Sequence, residues 1–389
     1  MKHTWIQLFH IYQPPSQTKE VVDQVARESY ELLISLHERY PHLRTTWNVS
    51  GSLLELLEKY GHQALIARIA KLAQSGQIEV TGSAAYHPII PLISPEATMR
   101  QIALQEALIE KHLGIKKEAL RTFYFPEMAW SADAGHLIGS LGYSHTALDE
   151  FHHPHPTKHQ FGTVCIDPSG MHALLRDRTL SKSFPPEQVL THPDTAHETC
   201  VVAHDGELYG HWHKDDRGFY DKLFSSPDFT FMTVSEAIEK QLADNKSEKV
   251  TLQSGSWETT EAERANYVAY ALWDSPTNPI HQLLWEGERH CESVLRNRTD
   301  DVNYASALIA FDKGCASCAW WWASNTTLSA FSPLTWNPTE IIRGATYLVE
   351  SIRTLRKAAK TDRRHIEAWY HNFTETVWNQ HWEYIDRTP

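Results

Sequence analysis

Cys200-Val201-Val202-Ala203-His204-Asp205-Gly206-Glu207-Leu208-Tyr209-Gly210-His211-Trp212 begins as a short apolar run and ends abruptly in acids, histidines and a tryptophan. A run of this kind fits a strand buried on both faces, as in parallel sheets covered by helices. The same grammar recurs along the chain. Strands are predicted over 4–9, 45–49, 78–81, 122–125, 145–148, 163–166, 200–203 and 229–232, with amphipathic helical stretches between them such as 21–40, 64–74 and 96–113. Ser94 followed by Pro95 opens the last of these, as an N-cap with proline at the first helical position. Strand–helix alternation repeated this often predicts an α/β fold with a mainly parallel sheet, closed or nearly closed into a barrel.

After Ser254-Gly255-Ser256-Trp257-Glu258 the texture changes. Helical periodicity runs over 262–273, 280–297, 339–360 and 366–382, with few strand signals. The expected division is a β/α barrel over 1–260 and a helical C-terminal domain over 261–389, with no internal repeat.

In parallel barrels chemistry gathers at the carboxyl ends of the strands. That is where the unusual polar residues fall: His10 and Gln13, Asn48 and Ser50, Glu79, Ser83 and His87, Glu127, Asp149 and Glu150, then His204, Asp205 and Glu207. Two carboxyl groups on different strand ends suit glycoside hydrolysis with retention, which needs a nucleophile and an acid/base ~5–5.5 Å apart across the sugar. One candidate is Thr122-Phe123-Tyr124-Phe125-Pro126-Glu127-Met128-Ala129-Trp130, where an apolar strand delivers a carboxylate directly after proline. A buried glutamate there is costly unless paired or functional, so ion pairing or helix capping is its ordinary alternative. The second candidate is the Asp205/Glu207 pair. Asp205 comes first off its strand, and Glu207 is placed to orient a neighbour or bind a hydroxyl, so the residues alone leave the choice between them open.

Together these segments resemble, in order, the five short regions of glycoside hydrolase family 57. His10-Ile11-Tyr12-Gln13-Pro14-Pro15 is similar to the first, with Tyr12 where that family usually has a second histidine. Glu79 through Gly82-Ser83 and on to Tyr86-His87-Pro88-Ile89 resembles the second, and Phe125-Pro126-Glu127 with Trp130 the nucleophile region. Asp205-Gly206-Glu207-Leu208-Tyr209-Gly210-His211-Trp212 resembles the acid/base region, and Gly255-Ser256-Trp257-Glu258 falls where the fifth belongs. The resemblance covers roughly residues 1–280. It implies a seven-stranded β/α barrel with a helical domain and double displacement on an alpha-glucan or malto-oligosaccharide. It also implies Glu127 as nucleophile, Asp205 as acid/base, and neither metal nor other cofactor. A sugar-binding shell of His10, Gln13, Glu79, His87, Trp130, Glu207, Trp212, Trp257 and Trp273 is expected, since imidazoles and carboxylates bond hydroxyls and indole faces cover the ring. Core packing is the alternative for the tryptophans. The competing functions are a metal-dependent polysaccharide deacetylase or a mannosidase-like enzyme on a related barrel, and a non-catalytic sugar-binding relative.

The bulk properties agree. The chain has 389 residues, 41% of them hydrophobic and 22% charged, with a net charge of −12. That acidity argues against nucleic acid or an anionic membrane surface as partner. No window approaches the ~20 apolar residues a bilayer requires. The start, MKHTWIQLFHIYQPP, lacks a long apolar region, so no signal peptide is expected. Five cysteines, an odd number in a long chain, do not suggest a disulfide framework. These features read as a cytoplasmic protein; they carry nothing about oligomeric state. Cys315-x-x-Cys318 lacks a second pair of metal ligands nearby. Phe151-His152-His153-Pro154-His155, followed by His159, reads as a loop at the barrel mouth, with metal binding as the alternative.

Overall fold

The computed structural model describes residues 3–182, 197–326 and 335–387. The chain divides into two compact units, one of Met1–Gln13, Gln17–Ala85 and Ile90–Arg264, the other of Pro14–Ser16, Tyr86–Ile89 and Ala265–Pro389. The first holds the strands: β1 (His3–Ile11), β2 (Thr45–Val49), β3 (Ile78–Val80), β4 (Thr122–Phe123), β5 (His145–Asp149), β6 (Val164–Ile166), β7 (His172–Arg176), β8 (Thr199–Asp205), β9 (Phe229–Met232) and β10 (Ser247–Lys249).

Two hydrogen-bonded sheets form from them, one in the order β3-β2-β1-β8 with β9 against β1, the other in the order β10-β6-β7-β5-β4. They meet at two seams. On one side Gly82 N–H donates to the Thr122 carbonyl (2.9 Å) and the Gly82 carbonyl accepts from Tyr124 N–H (2.8 Å). On the other, Asp177 N–H donates to the Val201 carbonyl at 2.8 Å. The ring therefore runs β1-β2-β3-β4-β5-β7-β8 and back to β1. This is a (β/α)7-type barrel whose ladder pairing is interrupted at the seams. β1 is buried from Trp5 to Ile11, which is why it reads as a nearly unbroken apolar run. Its register pairs His10 with both Asn48 on β2 and Asp205 on β8, so three strand ends share one level.

The predicted strands lie at or within two residues of observed ones, with two corrections. The strand predicted over 163–166 is β6, which pairs antiparallel to β7 and lies outside the ring. The ring position belongs to β7, His172-Ala-Leu-Leu-Arg176, whose polar ends hide a three-residue apolar centre. The helix predicted over 21–40 is broken as well: Lys19–Val25 and Glu31–Arg39 flank a π-helical turn, Ala26–Tyr30. Such turns add a residue to the helical repeat and swing the following side chains round.

The second unit is built from the helices Pro279–Arg296, Tyr304–Gly314, Cys318–Ala323, Pro338–Thr354 and Lys360–Arg387. Its core includes Leu284, Trp285, Phe311, Trp320, Leu348, Trp369 and Phe373. The helix predicted over 262–273 stops at Ala265; two residues on, Tyr267 sits at φ 58°, which a right-handed helix cannot continue through. No helix of the described residues is long and apolar enough to cross a membrane.

Candidate active site

Glu127 stands in a tight turn after β4. Its own φ is 58° and that of Met128 is 49°, both in the left-handed region that costs non-glycine residues ~1–2 kcal/mol each. The turn persists because Met128 N–H donates to the Phe125 carbonyl (2.7 Å), Ala129 N–H to the Pro126 carbonyl (3.0 Å) and Trp257 N–H to the Glu127 carbonyl (3.0 Å). Backbone strain held at this point aims the carboxyl group. Trp257 Nε1 donates to Glu127 Oε2 at 2.7 Å. Burial raises the Glu127 carboxyl from its ordinary 4.5 to about 8; the Trp257 bond opposes this, the charge of Glu258 adds to it and Arg176 counters it.

Asp205 ends β8. Burial pushes its carboxyl well up, and the negative charges of Glu207, Glu127 and Glu258 push it further, against Arg176. Glu127 and Asp205 thus lie within electrostatic reach of one another. Two half-buried carboxyls facing that charge balance do not ionise together. The indole donor at Glu127 favours the anion there and the proton on Asp205.

Glu207 has a different surrounding. Its Oε1 accepts from Tyr30 OH (2.6 Å), Gln13 Nε2 (3.3 Å) and Tyr12 N–H (3.4 Å). The π turn supplies Tyr30, and beside it Ser29 Oγ donates to the Gly206 carbonyl at 2.8 Å. This close approach requires glycine at 210: a Cβ there would stand 2.1 Å from the Glu28 carbonyl oxygen, at φ 88°. Glu207 and Gln13 therefore brace one another, and the acid left open between the two is Asp205.

Around the pair, His10 Nδ1 bonds Asn48 Oδ1 at 2.8 Å. Its ring stacks on Tyr124 (4.8 Å between centroids) and Tyr12 (5.7 Å), with Trp257 edge-on at 6.1 Å. Burial lowers His10 to about 4, so it is neutral near pH 7. Arg176 lies over the Trp257 ring at 5.0 Å, donating to Asp149 Oδ2 (2.8 Å), the Ala203 carbonyl (3.0 Å) and the Trp257 carbonyl (3.2 Å). Arg178 reaches Asp149 and the Trp257 carbonyl too. Buried Asp149, held below its usual range by these two guanidiniums against the cost of burial, thereby fixes the Trp257 loop through them.

The predicted shell divides. His10, Gln13, Glu207 and Trp257 join the surroundings of Glu127 and Asp205. Glu79 does not: it lies at the level of Thr46, two residues before Asn48 on β2, and accepts from Thr46 Oγ1 (2.8 Å), Thr122 Oγ1 (2.6 Å), Ser235 N–H (3.1 Å) and Ser235 Oγ. Trp130 is fully buried, edge-on to Phe125 and against Gly135, where a Cβ would stand 2.2 Å from its ring. Its backbone exchanges hydrogen bonds with Gly255 and so stitches the Glu127 turn to the Trp257 loop. Trp212 is 55% exposed, its N–H bonded to the Glu207 carbonyl. His87 and Trp273 belong to the second unit. There His87, at φ 60°, bonds Ser317 Oγ at 3.0 Å, and fully buried Trp273 accepts at its carbonyl from Trp285 Nε1. Tyr30, Tyr124, Arg176 and Arg178 were not anticipated. An apolar run ending in Arg176-Asp177 was the available signal, obscured because β7 was not recognised as a strand.

A barrel that gathers two coupled carboxyls among strand-end histidine, asparagine and indole groups has the layout of a (β/α)-barrel protein with an acidic strand-end centre. The chain belongs to glycosyl hydrolase family 57, whose profile matches residues 7–251. It is similar to an alpha-amylase of Pyrococcus horikoshii and a 4-alpha-glucanotransferase of Thermococcus litoralis, each 22% identical over 254 residues, or 59% of this chain. It spans 39% and 38% of those proteins, about two-fifths of the length of the curated relatives it matches. Its fold is shared with a branching enzyme of family 57 from Pyrococcus horikoshii, at a TM-score of 0.70 and 14% identity, covering 97% of this chain and 94% of that one.

Proposed function

We propose that this protein cleaves alpha-glucosidic bonds with retention, Glu127 acting as nucleophile and Asp205 as acid and then base, on an alpha-glucan or malto-oligosaccharide. The observation that carries this reading is the unequal treatment of two half-buried carboxyls within electrostatic reach of one another. Glu127 has a fixed indole donor that favours its anion, while Asp205 is crowded by three other acids that favour its proton. A retaining mechanism needs Glu127 ionised and Asp205 protonated before its first step, so with Glu127 raised to about 8 that reactive form is the minority below this pH and grows as pH rises toward it. Glu127 attacks the anomeric carbon as the bond to the leaving oxygen breaks and Asp205 gives that oxygen its proton. Asp205, now anionic, takes a proton from water or from a sugar hydroxyl, whose oxygen displaces Glu127 from the sugar and restores both groups. His10, Trp257 and Trp212 are assigned to sugar contacts, and Glu207 with Gln13 to holding the floor of that subsite. His87 and Trp130 are assigned to support of the fold. The names of the relatives, alpha-amylase and 4-alpha-glucanotransferase, favour an alpha-glucan as substrate.

Incubation with maltoheptaose followed by sizing of the products tests the reading. Shorter sugars alone mean hydrolysis, a ladder extending upward means transfer, and new branch linkages mean branching. Unchanged maltoheptaose at high enzyme concentration overturns it.

A further inference from the structure

Away from the carboxyl pair, His153, His159, Cys165 and Glu248 bring one donor atom each within 4.8 Å of one another. We propose that these four side chains bind a single zinc-class divalent ion, which fastens the loop after β5 to the β6–β10 edge. Three elements meet here. Cys165 and Glu248 are register partners on the parallel strands β6 and β10, and the two histidines come from the loop that follows β5.

The distances suit a tetrahedral ion. Glu248 Oε1 lies 3.4 Å from His153 Nε2, 3.0 Å from His159 Nδ1 and 3.9 Å from Cys165 Sγ. Zinc bonds of ~2.0–2.3 Å place neighbouring ligand atoms ~3.3–3.8 Å apart, so these separations need only small adjustments. Donor chemistry points the same way. One thiol, two imidazoles and one carboxylate form a borderline-soft set that zinc prefers and calcium or magnesium does not.

Burial makes the set expensive without an ion. Cys165 is fully buried, His153 is 5% exposed and the His159 side chain 1%. His153 Nε2, one of the four donor atoms, is sealed from solvent and has no hydrogen-bond partner, although buried polar atoms are nearly always paired. The Glu248 side chain, 39% exposed, leaves a path by which an ion enters.

Binding has a defined proton balance. Burial and the charge of Glu248 raise the Cys165 thiol, so it arrives protonated and gives up its proton as the Zn–S bond forms. His153 Nδ1 accepts from the His155 N–H at 3.0 Å, which leaves its proton on Nε2. That proton moves to Nδ1 as Nε2 takes the metal, and the His155 N–H turns away. His159 Nδ1 donates to Glu248 Oε1 in the free site, so its proton likewise moves, to Nε2, as Nδ1 takes the metal, and the ion sheds waters. Net, one proton is released per ion bound.

The clamp bears on the rest of the barrel through its neighbours. Arg264 Nη2 holds the His153 and Pro154 carbonyls, and the His152 carbonyl accepts from Gln253 N–H on the segment leading to Trp257.

The full chain, stripped with chelator and reloaded with cobalt(II) chloride or zinc chloride, provides the test. One ion per chain is expected, with a near-ultraviolet thiolate-to-cobalt band, tetrahedral visible bands and a raised Tm on zinc loading. Cys165→Ser should lose the thiolate band and Glu248→Gln should weaken binding; the second variant changes a partly exposed group and keeps the fold if the first does not. Absence of the thiolate band in the wild-type protein, or the same stoichiometry and spectrum in the variants that fold, overturns the proposal.

Discussion

Glu79 and Glu127 are two glutamates set on successive strands of one ring, and they are treated in opposite ways. Glu79 accepts from Thr46, Thr122, the Ser235 hydroxyl and the Ser235 N–H at the start of the helix Val234–Ala243. A carboxyl group with that many donors, one at a helix N-terminus, is satisfied and ties strands to helix. Glu127 accepts from the Trp257 indole and has a strained backbone and a value raised to about 8. Depth along the strand makes the difference. A carboxyl at the level of Thr46 is absorbed into structure, and one at the turn after β4 is kept poised.

Glu127→Gln should cause the largest change. Turnover of maltoheptaose is expected to fall by on the order of 10³-fold or more, while sugar binding by calorimetry stays within a few-fold, since the amide keeps the shape but cannot form the covalent intermediate. The same variant should melt at a higher temperature. Burial raises the folded-state value from 4.5 to about 8, so between those limits the folded protein holds a proton that the unfolded chain has released, and stability falls as pH rises through that window. Glutamine removes the effect, and the Tm advantage should widen from about pH 5 to about pH 8. Retained turnover would mean that another group attacks the sugar.

Asp205→Asn should come next, with a loss of about 10²–10⁴-fold on glucans and a much smaller loss on substrates whose leaving group needs no proton. Equal losses on both substrate kinds would remove Asp205 from the acid role.

Much of this contrast was legible in the sequence. Strands buried on both faces read as apolar runs, so their carboxyl ends, and with them Glu127, Asp205 and His10, could be located. Depth was harder to read. Residues 79 and 81 point to the same side of a strand with a two-residue repeat, so the pattern places Glu79 on the right face without revealing that it sits below the site. Indoles were ambiguous for another reason: an indole near a strand end reads alike whether it packs in the core or stands beside the carboxyls, and only packing shows that Trp130 and Trp273 are core. The π turn at Ala26–Tyr30 left no mark, because the apolar spacing of 21–40 continues across it while Tyr30 is swung onto Glu207. Arg176 escaped notice because His172 and Arg176 disguise the strand they bound.

Arg176→Met should break the contrast from the side of charge. Arg176 opposes the raised values of both Glu127 and Asp205, so without it both should rise further and the acid limb of kcat/KM should move to higher pH. Asp149 keeps Arg178 but loses its other buried partner, at a cost of about 3 kcal/mol measured by denaturant unfolding. An acid limb that moves to lower pH would show that Arg176 does not act on the pair through its charge.

Glu79→Gln probes the satisfied acid. Its amide loses the anion that three hydroxyls and a helix N-terminus favour, so stability should drop by about 1–3 kcal/mol while kcat/KM per folded molecule changes less than a few-fold. A collapse of activity with stability unchanged would place Glu79 in the chemistry and erase the distinction drawn above.

Glu258→Gln should have the smallest effect and the most specific sign. Glu258 raises both Glu127 and Asp205 through its charge, while its own side chain is 26% exposed and paired with Lys182 at 3.2 Å. Solvent therefore screens it, and removing it should shift each coupled ionisation by about half a pH unit or less, since one unit corresponds to ~1.4 kcal/mol. The direction is fixed. Removing a negative neighbour makes each carboxyl easier to ionise, so the acid and alkaline limbs of kcat/KM should both move to lower pH. Because the pair titrates as a unit, the two limbs should move together. High salt, which weakens the Glu258 charge in the wild-type protein, should reproduce part of the shift there and leave the variant nearly unchanged. Limbs that move to higher pH, or an equal salt response in both proteins, would mean that burial alone sets the poise of Glu127 and that the acids around it do not contribute.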